Sequence, residues 1–385
     1  MDRTCHNLKG VGMEPCKFVA DHFCDDIGPA KVLHIYEPKI GLKAIIVIDN
    51  IARGPAIGGV RMAADVSTTE VFRLARGMTF KNAAADLRHG GGKSGIIADP
   101  NQPEHRREEL IRAFARAMRN LTEYIPGPDM GTNEQSMAYA YDEIGRCVGL
   151  PRALGGIPLD EIGATGYGCV VCAEVAAPRI KLNLKGARFV IEGFGNVGRP
   201  AAKFMVERGG VLVGASDTKG TIYNRNGINL EALLEVKAGT GSVLNYEKAE
   251  KLPVHACMEL ECDILFPSAR PDSINNNNVD RVRTKLVIQG ANIPCTVEAE
   301  KRLHDRGILS IPDFIANAGG VICGALEYHG VSEDQVFPTI KYKIQKNTEE
   351  LLKRVYDKKM YPRDAATAIA KERVKEAMTY RLQQI

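Results

Sequence analysis

Two lysines, Lys81 and Lys93, mark the stretch of this 385-residue chain whose residue types could do chemistry. Upstream of them, Ser67 and Glu70 form a capping-box pattern that predicts the start of a helix. Apolar residues at helical spacing then place Lys81 on the face of that helix that should be buried. A buried ammonium group is costly without an anionic partner. Lys81 therefore indicates either an anionic ligand or a side chain that extends its amine towards solvent.

Lys93 follows three consecutive glycines, Gly90 to Gly92, which allow the backbone to approach another group closely. Two ammonium groups in one partly dry pocket would lower each other's pKa, and one of them could then act as a base near neutral pH. The same residues also fit a simpler interpretation, in which the glycines form only a connection to the next strand. This stretch alone leaves both interpretations open.

The elements expected to position the lysines are strands and helices of mixed order. Residues 32–36 and 42–49 have the composition of strands, and a glycine-rich connection at 53–62 leads into the lysine helix. A short strand is predicted at 95–98 and an amphipathic helix at 104–122. The loop at 125–135 contains Asp129, and Thr132 is the expected N-cap of the helix that follows it.

Length and composition restrict the class of protein. A chain of 385 residues is too long for one ordinary core, so two domains are expected. The net charge of +4, without a run of five basic residues, argues against nucleic acid and membrane surfaces as partners. No apolar run could span a bilayer, and the N-terminus lacks the apolar core of a secretory signal. We therefore expect a cytoplasmic location.

The ten cysteines are scattered without a disulfide framework, which suits reduced thiols. One close pair, Cys169 and Cys172, lies in an apolar helical run. No second pair with zinc-ligand spacing lies nearby, so both are interpreted as packing residues and no metal site is predicted.

The second half of the chain has the pattern of a dinucleotide-binding fold. A predicted strand at 187–191 leads into GFGNVG at 193–198, and a helix and a second strand ending at Asp217 follow. In this order the glycines allow a tight turn, and the helix N-terminus offers N–H groups to a pyrophosphate. Asp217, nineteen residues past Gly198, has the spacing of an acid that binds ribose hydroxyls.

Further predicted strands at 263–266, 286–289 and 308–311 continue an open parallel sheet. Because ligands bind beyond the carboxyl ends of such strands, Ser268, Asn292 and Asn317 are candidates, although each alone is also an ordinary turn residue. A hinge between domains is predicted at 150–163, which is rich in proline and glycine. The C-terminal helices are expected to pack back on the first domain.

Seven motifs in this chain resemble, in order, those of the amino-acid dehydrogenases that act on glutamate, leucine, phenylalanine or valine. The resemblance covers about residues 30 to 330. The motifs are GPAIGGVRM (54–62), MTFKNAAADLRHGGGKSGI (78–96), GPDMGTNEQ (127–135), ATGYG (164–168), GFGNVG (193–198), GANIP (290–294) and PDFIANAGGV (312–321).

This resemblance implies an α/β fold with two domains. A Rossmann-type dinucleotide-binding domain would occupy residues 161–325. A substrate-binding and oligomerisation domain, also α/β, would occupy residues 1–160 and be completed by C-terminal helices at 326–385. Family members form symmetric homo-oligomers, so a hexamer or octamer is expected.

The resemblance also implies roles for individual residues. Lys81 would hold the substrate α-carboxylate, Lys93 would be the catalytic lysine and Asp129 would transfer protons. The residues expected to line the rest of the substrate site are Ile57, Gly58, Gly127, Asn292, Val321 and Gly324. The residues expected to contact the cofactor are Thr165, Gly193, Gly195, Asn196, Val197, Gly198, Asp217, Ser268, Asn292 and Asn317.

The implied reaction is the reversible, NAD(P)-dependent oxidative deamination of an L-amino acid to a 2-oxo acid and ammonia. Asp217 favours NAD because its carboxylate would repel a 2′-phosphate, and Lys219 leaves NADP possible. Two alternatives remain: a homologue that binds the dinucleotide without turnover, and a hydroxy-acid or opine-type dehydrogenase that shares only the cofactor fold.

The substrate side chain is predicted from two departures from the glutamate-acting members. Ile57 stands where they have a lysine, and Gly324 stands where they have a serine. An unpaired second carboxylate would be costly in such a pocket, so a branched-chain or aromatic substrate is predicted. The alternative is a glutamate dehydrogenase with an altered pocket, in which Arg61 or Arg88 supplies the donor. Asp160 and Glu161, which replace a glycine–arginine pair before the ATG motif, further weaken a direct transfer of substrate identity.

Overall fold

The computed structural model describes residues 23–381. The first 22 and the last four residues of the chain lie outside the described residues. The described chain contains two β-sheets with helices packed against them. The boundaries predicted at residues 160 and 325 stay a prediction.

The first sheet has five strands in the order β1-β2-β4-β3-β5. The strands are β1 (Lys31–Glu37), β2 (Leu42–Asn50), β3 (Ala56–Ala63), β4 (Gly90–Ile97) and β5 (Tyr124–Pro128). The helices of this half are α1 (Thr68–Ala84), α2 (Glu104–Ala117) and α3 (Glu134–Ile144). Strands β3, β4 and β5 run parallel, whereas β1 and β2 are antiparallel to their neighbours. The predicted strands at 32–36 and 42–49 and the lysine helix are confirmed.

Two predictions about the glycine-rich segments were wrong. The expected connection at 53–62 contains strand β3, and the strand expected at 95–98 begins at Gly90. The physical reason is close packing of α1 onto β4, since a Cβ atom on Gly91 would lie 2.0 Å from the backbone nitrogen of Thr79. A strand that must carry no side chains here cannot show the apolar pattern by which strands are recognised.

The second sheet has seven strands in the order β12-β11-β10-β6-β7-β8-β9. The strands are β6 (Arg188–Glu192), β7 (Val211–Ser216), β8 (Thr221–Tyr223), β9 (Glu250–Leu252), β10 (Ile264–Pro267), β11 (Leu286–Ile288) and β12 (Leu309–Ile311). The pairs from β12 to β7 are parallel, as predicted, but β8 and β9 add an antiparallel edge. The α/β fold class is confirmed.

The remaining helices cover this sheet and connect it to the first. They are α4 (Leu159–Ile162), α5 (Ala164–Ala176), α6 (Gly198–Glu207), α7 (Leu230–Thr240), α8 (Val297–Asp305), α9 (Asp313–Ala316), α10 (Gly319–Tyr328), α11 (Val336–Asp357) and α12 (Pro362–Thr379). Cys169 and Cys172 are fully buried in α5, in agreement with their interpretation as packing residues.

The C-terminal helix α12 packs on α1, as predicted. The guanidinium group of Arg373 donates hydrogen bonds to the carbonyl oxygens of Ala83 and Ala84, at 3.1 and 2.9 Å. These carbonyls belong to the last turn of α1, where a helix leaves its acceptors unsatisfied. The C-terminal segment therefore fixes the end of the helix that carries Lys81.

Within residues 23–381, no helix is both long enough and apolar enough to cross a membrane. Over the same range, no group of three or more metal-ligating side chains is arranged to hold an ion. A cytoplasmic location stays a prediction.

Two glycines associated with α1 allow a matched test of the packing. Gly91→Ala should lower the free energy of unfolding by about 3 kcal/mol, because the added methyl group collides with the α1 backbone. Gly77→Ala, in the exposed part of α1 where nothing lies within 4 Å of the new Cβ, should raise it by about 0.5–1 kcal/mol. Urea denaturation measures both values, and equal effects of the two substitutions would contradict the packing.

Candidate active site

A cavity of about 990 Å³ is lined by residues from both halves of the chain. Most of the predicted site residues lie in its wall. From the first half come Ile57, Gly58, Lys81, Lys93, Gly127 and Asp129. From the second half come Thr165, Val197, Ser268, Asn292, Asn317, Val321 and Gly324. The structure does not bring Gly193, Gly195, Asn196, Gly198 or Asp217 into this wall.

Lys93 and Asp129 form an ion pair inside the cavity. Lys93 is only 6% exposed, and its Nζ lies 2.9 Å from Oδ2 of Asp129. The Nε of Arg61 donates to the same oxygen at 2.9 Å. Burial lowers the pKa of Lys93, and the carboxylate of Asp129 opposes that effect only in part. Burial alone would raise the pKa of Asp129, but Lys93 and Arg61 outweigh it and hold that pKa below its usual value.

The positions of these two side chains follow from the strands that carry them. Lys93 lies in the middle of β4, and Asp129 directly follows β5. Between them, β3 presents Gly59, where a Cβ atom would lie 3.0 Å from Nζ of Lys93 and 2.8 Å from Cβ of Asp129. Thr132 is not the N-cap of α3, a role that Asn133 takes. Its hydroxyl instead accepts from the Asp129 N–H and donates to the Val60 carbonyl, which fixes the Asp129 turn.

Lys81 enters the cavity from α1, whose N-cap is Ser67 as predicted. Its Nζ lies 3.4 Å from Oδ1 of Asn292, a residue of the second half of the chain. Burial lowers the pKa of Lys81 to about 8, and the charge of Lys93 adds a smaller effect in the same direction. Desolvation therefore lowers the pKa of Lys81 more than the expected repulsion between the two lysines does.

Asn292 and Asn317 form a polar cluster at the carboxyl ends of the second sheet. The Nδ2 of Asn317 donates to Oδ1 of Asn292 at 3.0 Å and also contacts the carbonyls of Gly290 and Ala291. Asn317 is 3% exposed, and its Oδ1 has no hydrogen-bond partner in the structure. A buried amide oxygen left unpaired is costly. A ligand with an N–H group in this cavity would satisfy it.

The glycine loop between β6 and α6 has the features of a pyrophosphate site. No side chain caps the N-terminus of α6, so its first N–H groups are not bound by a capping side chain. Gly193 has a φ of +85°, which favours glycine. A Cβ on Gly195 would meet nothing within 4 Å, which leaves that side of the loop open. These residues fit the diphosphate of a dinucleotide.

Family models match almost the whole described chain. The dimerisation domain of the Glu/Leu/Phe/Val dehydrogenases matches residues 29–146, and the Glutamate/Leucine/Phenylalanine/Valine dehydrogenase model matches residues 155–381. The chain belongs to this family. It is an NAD(P)-dependent amino-acid dehydrogenase, and the predicted family, enzyme class and cofactor class are confirmed.

Individual relatives of the dehydrogenase agree with this membership. It is 36% identical to an NADP-specific glutamate dehydrogenase of Saccharolobus shibatae, over 86% of this chain and 83% of the relative. It is also 36% identical to an NAD-specific glutamate dehydrogenase of Staphylococcus aureus, over 86% of this chain and 84% of the relative. Among solved structures, the chain is similar to a hetero-hexameric glutamate dehydrogenase of Thermus thermophilus in a Leu-bound form, with a TM-score of 0.80 and 29% sequence identity. The match covers 91% of this chain and 88% of the Thermus thermophilus chain.

Part of the wall of the dehydrogenase cavity is apolar. Ile57 and Val321 are joined there by Val148 and Ile157, which were not predicted to be site residues. A Cβ on Gly127 would lie 2.9 Å from Cγ2 of Val148, so these residues pack tightly. The sequence signal for Val148 and Ile157 was slight, since both are single apolar residues in or beside the predicted hinge.

Only two cationic side chains of the described residues line this cavity, Lys81 and Lys93. Arg61, one of the two donors considered for a second carboxylate, is already paired with Asp129 and Glu70. Arg88, the other, is exposed and does not line the cavity. Neither arginine supplies the missing charge in this structure.

Asp217 does not have the surroundings expected of a free ribose acceptor. Its side chain is 7% exposed, and Oδ2 accepts from Nζ of Lys237 at 2.6 Å and from the Val243 N–H at 2.8 Å. The Lys219 N–H donates to its other oxygen at 2.9 Å. Lys237 neutralises the carboxylate, so Asp217 repels a 2′-phosphate less than the sequence argument assumed.

The pKa of Lys81 leads to a direct test. After ¹³C reductive methylation of the lysines, the Lys81 resonance should titrate with a midpoint near pH 8, because desolvation favours the neutral amine. The Lys81→Gln variant identifies the signal by its absence. A midpoint near the ordinary lysine value would show that the amine is hydrated and that the cavity is wetter than the structure indicates.

Proposed function

We propose that this dehydrogenase catalyses the reversible NAD(P)-dependent oxidative deamination of an L-amino acid to the 2-oxo acid and ammonia. The observation that carries the proposal is the convergence of the Lys93–Asp129 pair and Lys81 in one cavity with Asn292 and Asn317. An amino acid offers that cavity a carboxylate for one cation, and a reacting α-carbon beside the other.

Lys81 binds the substrate α-carboxylate in this proposal. Its ammonium group is desolvated and has only a 3.4 Å contact with the neutral amide of Asn292. A carboxylate would form a charge-assisted hydrogen bond there and offset the cost of burial. Since the amine loses its proton above about pH 8, carboxylate binding weakens as the pH rises through that value.

Lys93 and Asp129 handle the protons of the reaction. Bound NAD(P) supplies the acceptor for the substrate α-hydride. The substrate ammonium loses one proton to solvent before the hydride leaves. Lys93, whose pKa burial lowers, passes its own proton to Asp129 and then, as a neutral amine, takes a proton from the water that adds to the resulting iminium carbon. Asp129 passes the proton it received to the substrate nitrogen, the carbon–nitrogen bond breaks, and the carboxylate takes the hydroxyl proton as ammonia and the 2-oxo acid form. Their 2.9 Å contact allows the proton to move directly between them.

Residues of the second half are proposed to hold the cofactor. The N–H groups of the Gly193–Gly198 loop and the α6 N-terminus would bind the diphosphate. Thr165, Ser268, Asn292 and Asn317 line the cavity where the nicotinamide and substrate would meet. Because Lys237 neutralises Asp217, we propose that the enzyme uses both NAD and NADP, and its relatives include one named for each.

Two substrate classes are candidates, each supported by a different observation. The relatives are named glutamate dehydrogenases, and this supports the glutamate alternative better than the predicted apolar substrate. The pocket favours a branched-chain or aromatic amino acid, since Ile57, Val148 and Val321 line it without a third cation. Glu134 also lines the cavity and would repel a second carboxylate.

Homo-oligomer formation is proposed as well. A family model for a dimerisation domain matches residues 29–146, and the structural neighbour from Thermus thermophilus is named as a hetero-hexamer. Light scattering on the purified chain determines whether it forms a hexamer or an octamer.

Replacement of Lys93 tests the reaction. Reduction of NAD and of NADP should be measured with a panel of L-amino acids that includes glutamate, leucine, valine and phenylalanine. Lys93→Ala should lower kcat about 10²- to 10⁴-fold, the usual contribution of a positioned base. The control is Lys203→Ala, an exposed lysine of α6 outside the cavity.

Two outcomes would contradict the reaction, and a third would contradict the role of Lys93. Cofactor binding without turnover of any amino acid would indicate a non-catalytic homologue. Reduction of 2-oxo acids without a requirement for ammonium would indicate a hydroxy-acid dehydrogenase. Full activity of Lys93→Ala would remove Lys93 from the mechanism.

A separate substitution tests the side-chain pocket. Ile57→Lys should raise the ratio of kcat/KM for glutamate over leucine about tenfold or more, because a charge-assisted hydrogen bond contributes about 1.5–3 kcal/mol. Ile57→Met is the matched control, since it gives a side chain of similar length without the charge. If both substitutions change the ratio equally, residue 57 does not face the substrate side chain.

A further inference from the structure

Glu327 is a buried carboxylate that the proposed mechanism does not use. It lies on α10, three residues after Gly324, and is 8% exposed. Its Oε1 accepts a hydrogen bond from the Leu150 N–H and its Oε2 accepts one from the Ile157 N–H, both at 3.0 Å. One side chain therefore closes the backbone between residues 150 and 157 into a loop.

That loop forms a wall of the substrate cavity. Val148, Gly149, Pro151 and Ile157 line the cavity, while the tip of the loop, residues 152–155, is exposed. Val321 and Gly324, which also line the cavity, belong to the same helix as Glu327. The space between the loop and α10 depends on how closely the loop is held to that helix.

We propose that Glu327 is a positioning residue that determines substrate side-chain specificity, by holding Val148 and Ile157 at a fixed distance from α10. This inference rests on the proposed amino-acid dehydrogenase function and deepens it. Glu327 itself does not line the cavity, so it acts through the loop and makes no contact with the substrate.

The chemistry of the carboxylate explains why glutamate is required. Both donors are backbone N–H groups, and an ionised carboxylate has an acceptor oxygen for each of them. A glutamine side chain has one acceptor oxygen and one NH₂ group. Its oxygen would accept from one backbone N–H, whereas its NH₂ group would face the other N–H, which is also a donor. Asp, which is one methylene shorter, keeps both acceptors but draws the loop closer to the helix or loses contact with it.

The space near Gly324 shows how sensitive the pocket is to this distance. A Cβ atom on Gly324 would lie 3.8 Å from Cβ and Cγ2 of Val148, which is ordinary contact. The gap left by this glycine is therefore about one methyl group wide. One methylene in an apolar pocket changes kcat/KM by about 10- to 200-fold, so a small displacement of Val148 is measurable as a change in specificity.

The experiment compares Glu327→Gln and Glu327→Asp with the unchanged enzyme on a series of amino acids of increasing side-chain volume. The series is L-alanine, L-norvaline, L-leucine and L-phenylalanine, and L-glutamate is measured beside it as the charged substrate. We expect both variants to change the ratio of kcat/KM for the largest substrate over the smallest by about fivefold or more. The matched control is Asp263→Asn, whose carboxylate also accepts a backbone N–H, from Arg188 at 2.9 Å, but precedes β10 outside the cavity.

A merely structural role gives a different result. If Glu327 only stabilises the fold, its variants lower Tm and reduce activity towards all substrates by the same factor, as Asp263→Asn should. An unchanged ratio in whichever variant folds overturns the inference and leaves the proposed function intact. Absence of turnover of any amino acid by the unchanged enzyme overturns both.

Discussion

The ion pair between Lys93 and Asp129 is the interaction on which the cavity depends. Lys93 is almost fully buried, and a lone ammonium group there would be too costly to keep its charge. Asp129 pairs with it and also with Arg61, which in turn pairs with Glu70. The charges alternate in sign along this row, so loss of any member leaves its neighbours unbalanced.

Glu70 lies in the first turn of α1, and Lys81 lies eleven residues further along the same helix. The row thus fixes the start of the helix that delivers the second lysine.

This arrangement is possible because the strands beneath it have few side chains. A Cβ on Gly58 would lie 1.7 Å from the carbonyl oxygen of Gly92, and a Cβ on Gly91 would collide with α1. The glycines bring β3, β4 and the helix closer together than larger residues allow. The cavity therefore obtains its shape from glycines in the core of the sheet as much as from the polar residues in its wall.

The sequence was informative where the signal is local. The Ser67 cap, the periodic helix α1 and the strand–glycine–helix order at 188–207 all lie within short segments, and each was predicted correctly. The glycine strands were missed because they lack the side chains that define a strand pattern. The hydrogen-bond partners of Asp217 were not predicted, because Lys237 and Val243 follow it by 20 and 26 residues. Such long-range pairs leave no trace in a single sequence.

The charges in the cavity define the remaining question of substrate identity. Lys81 and Lys93 are its only cations among the described residues, and Asp129 already neutralises one of them. The α-carboxylate of any amino acid would occupy the other. A glutamate side chain would then depend on neutral donors such as Asn133 and Gln135, which line the same cavity, whereas an apolar side chain needs none. Two relatives at 36% identity are named glutamate dehydrogenases. Ile57, an apolar residue, lines the cavity of this chain, so the pocket's own chemistry has to be tested separately from that similarity.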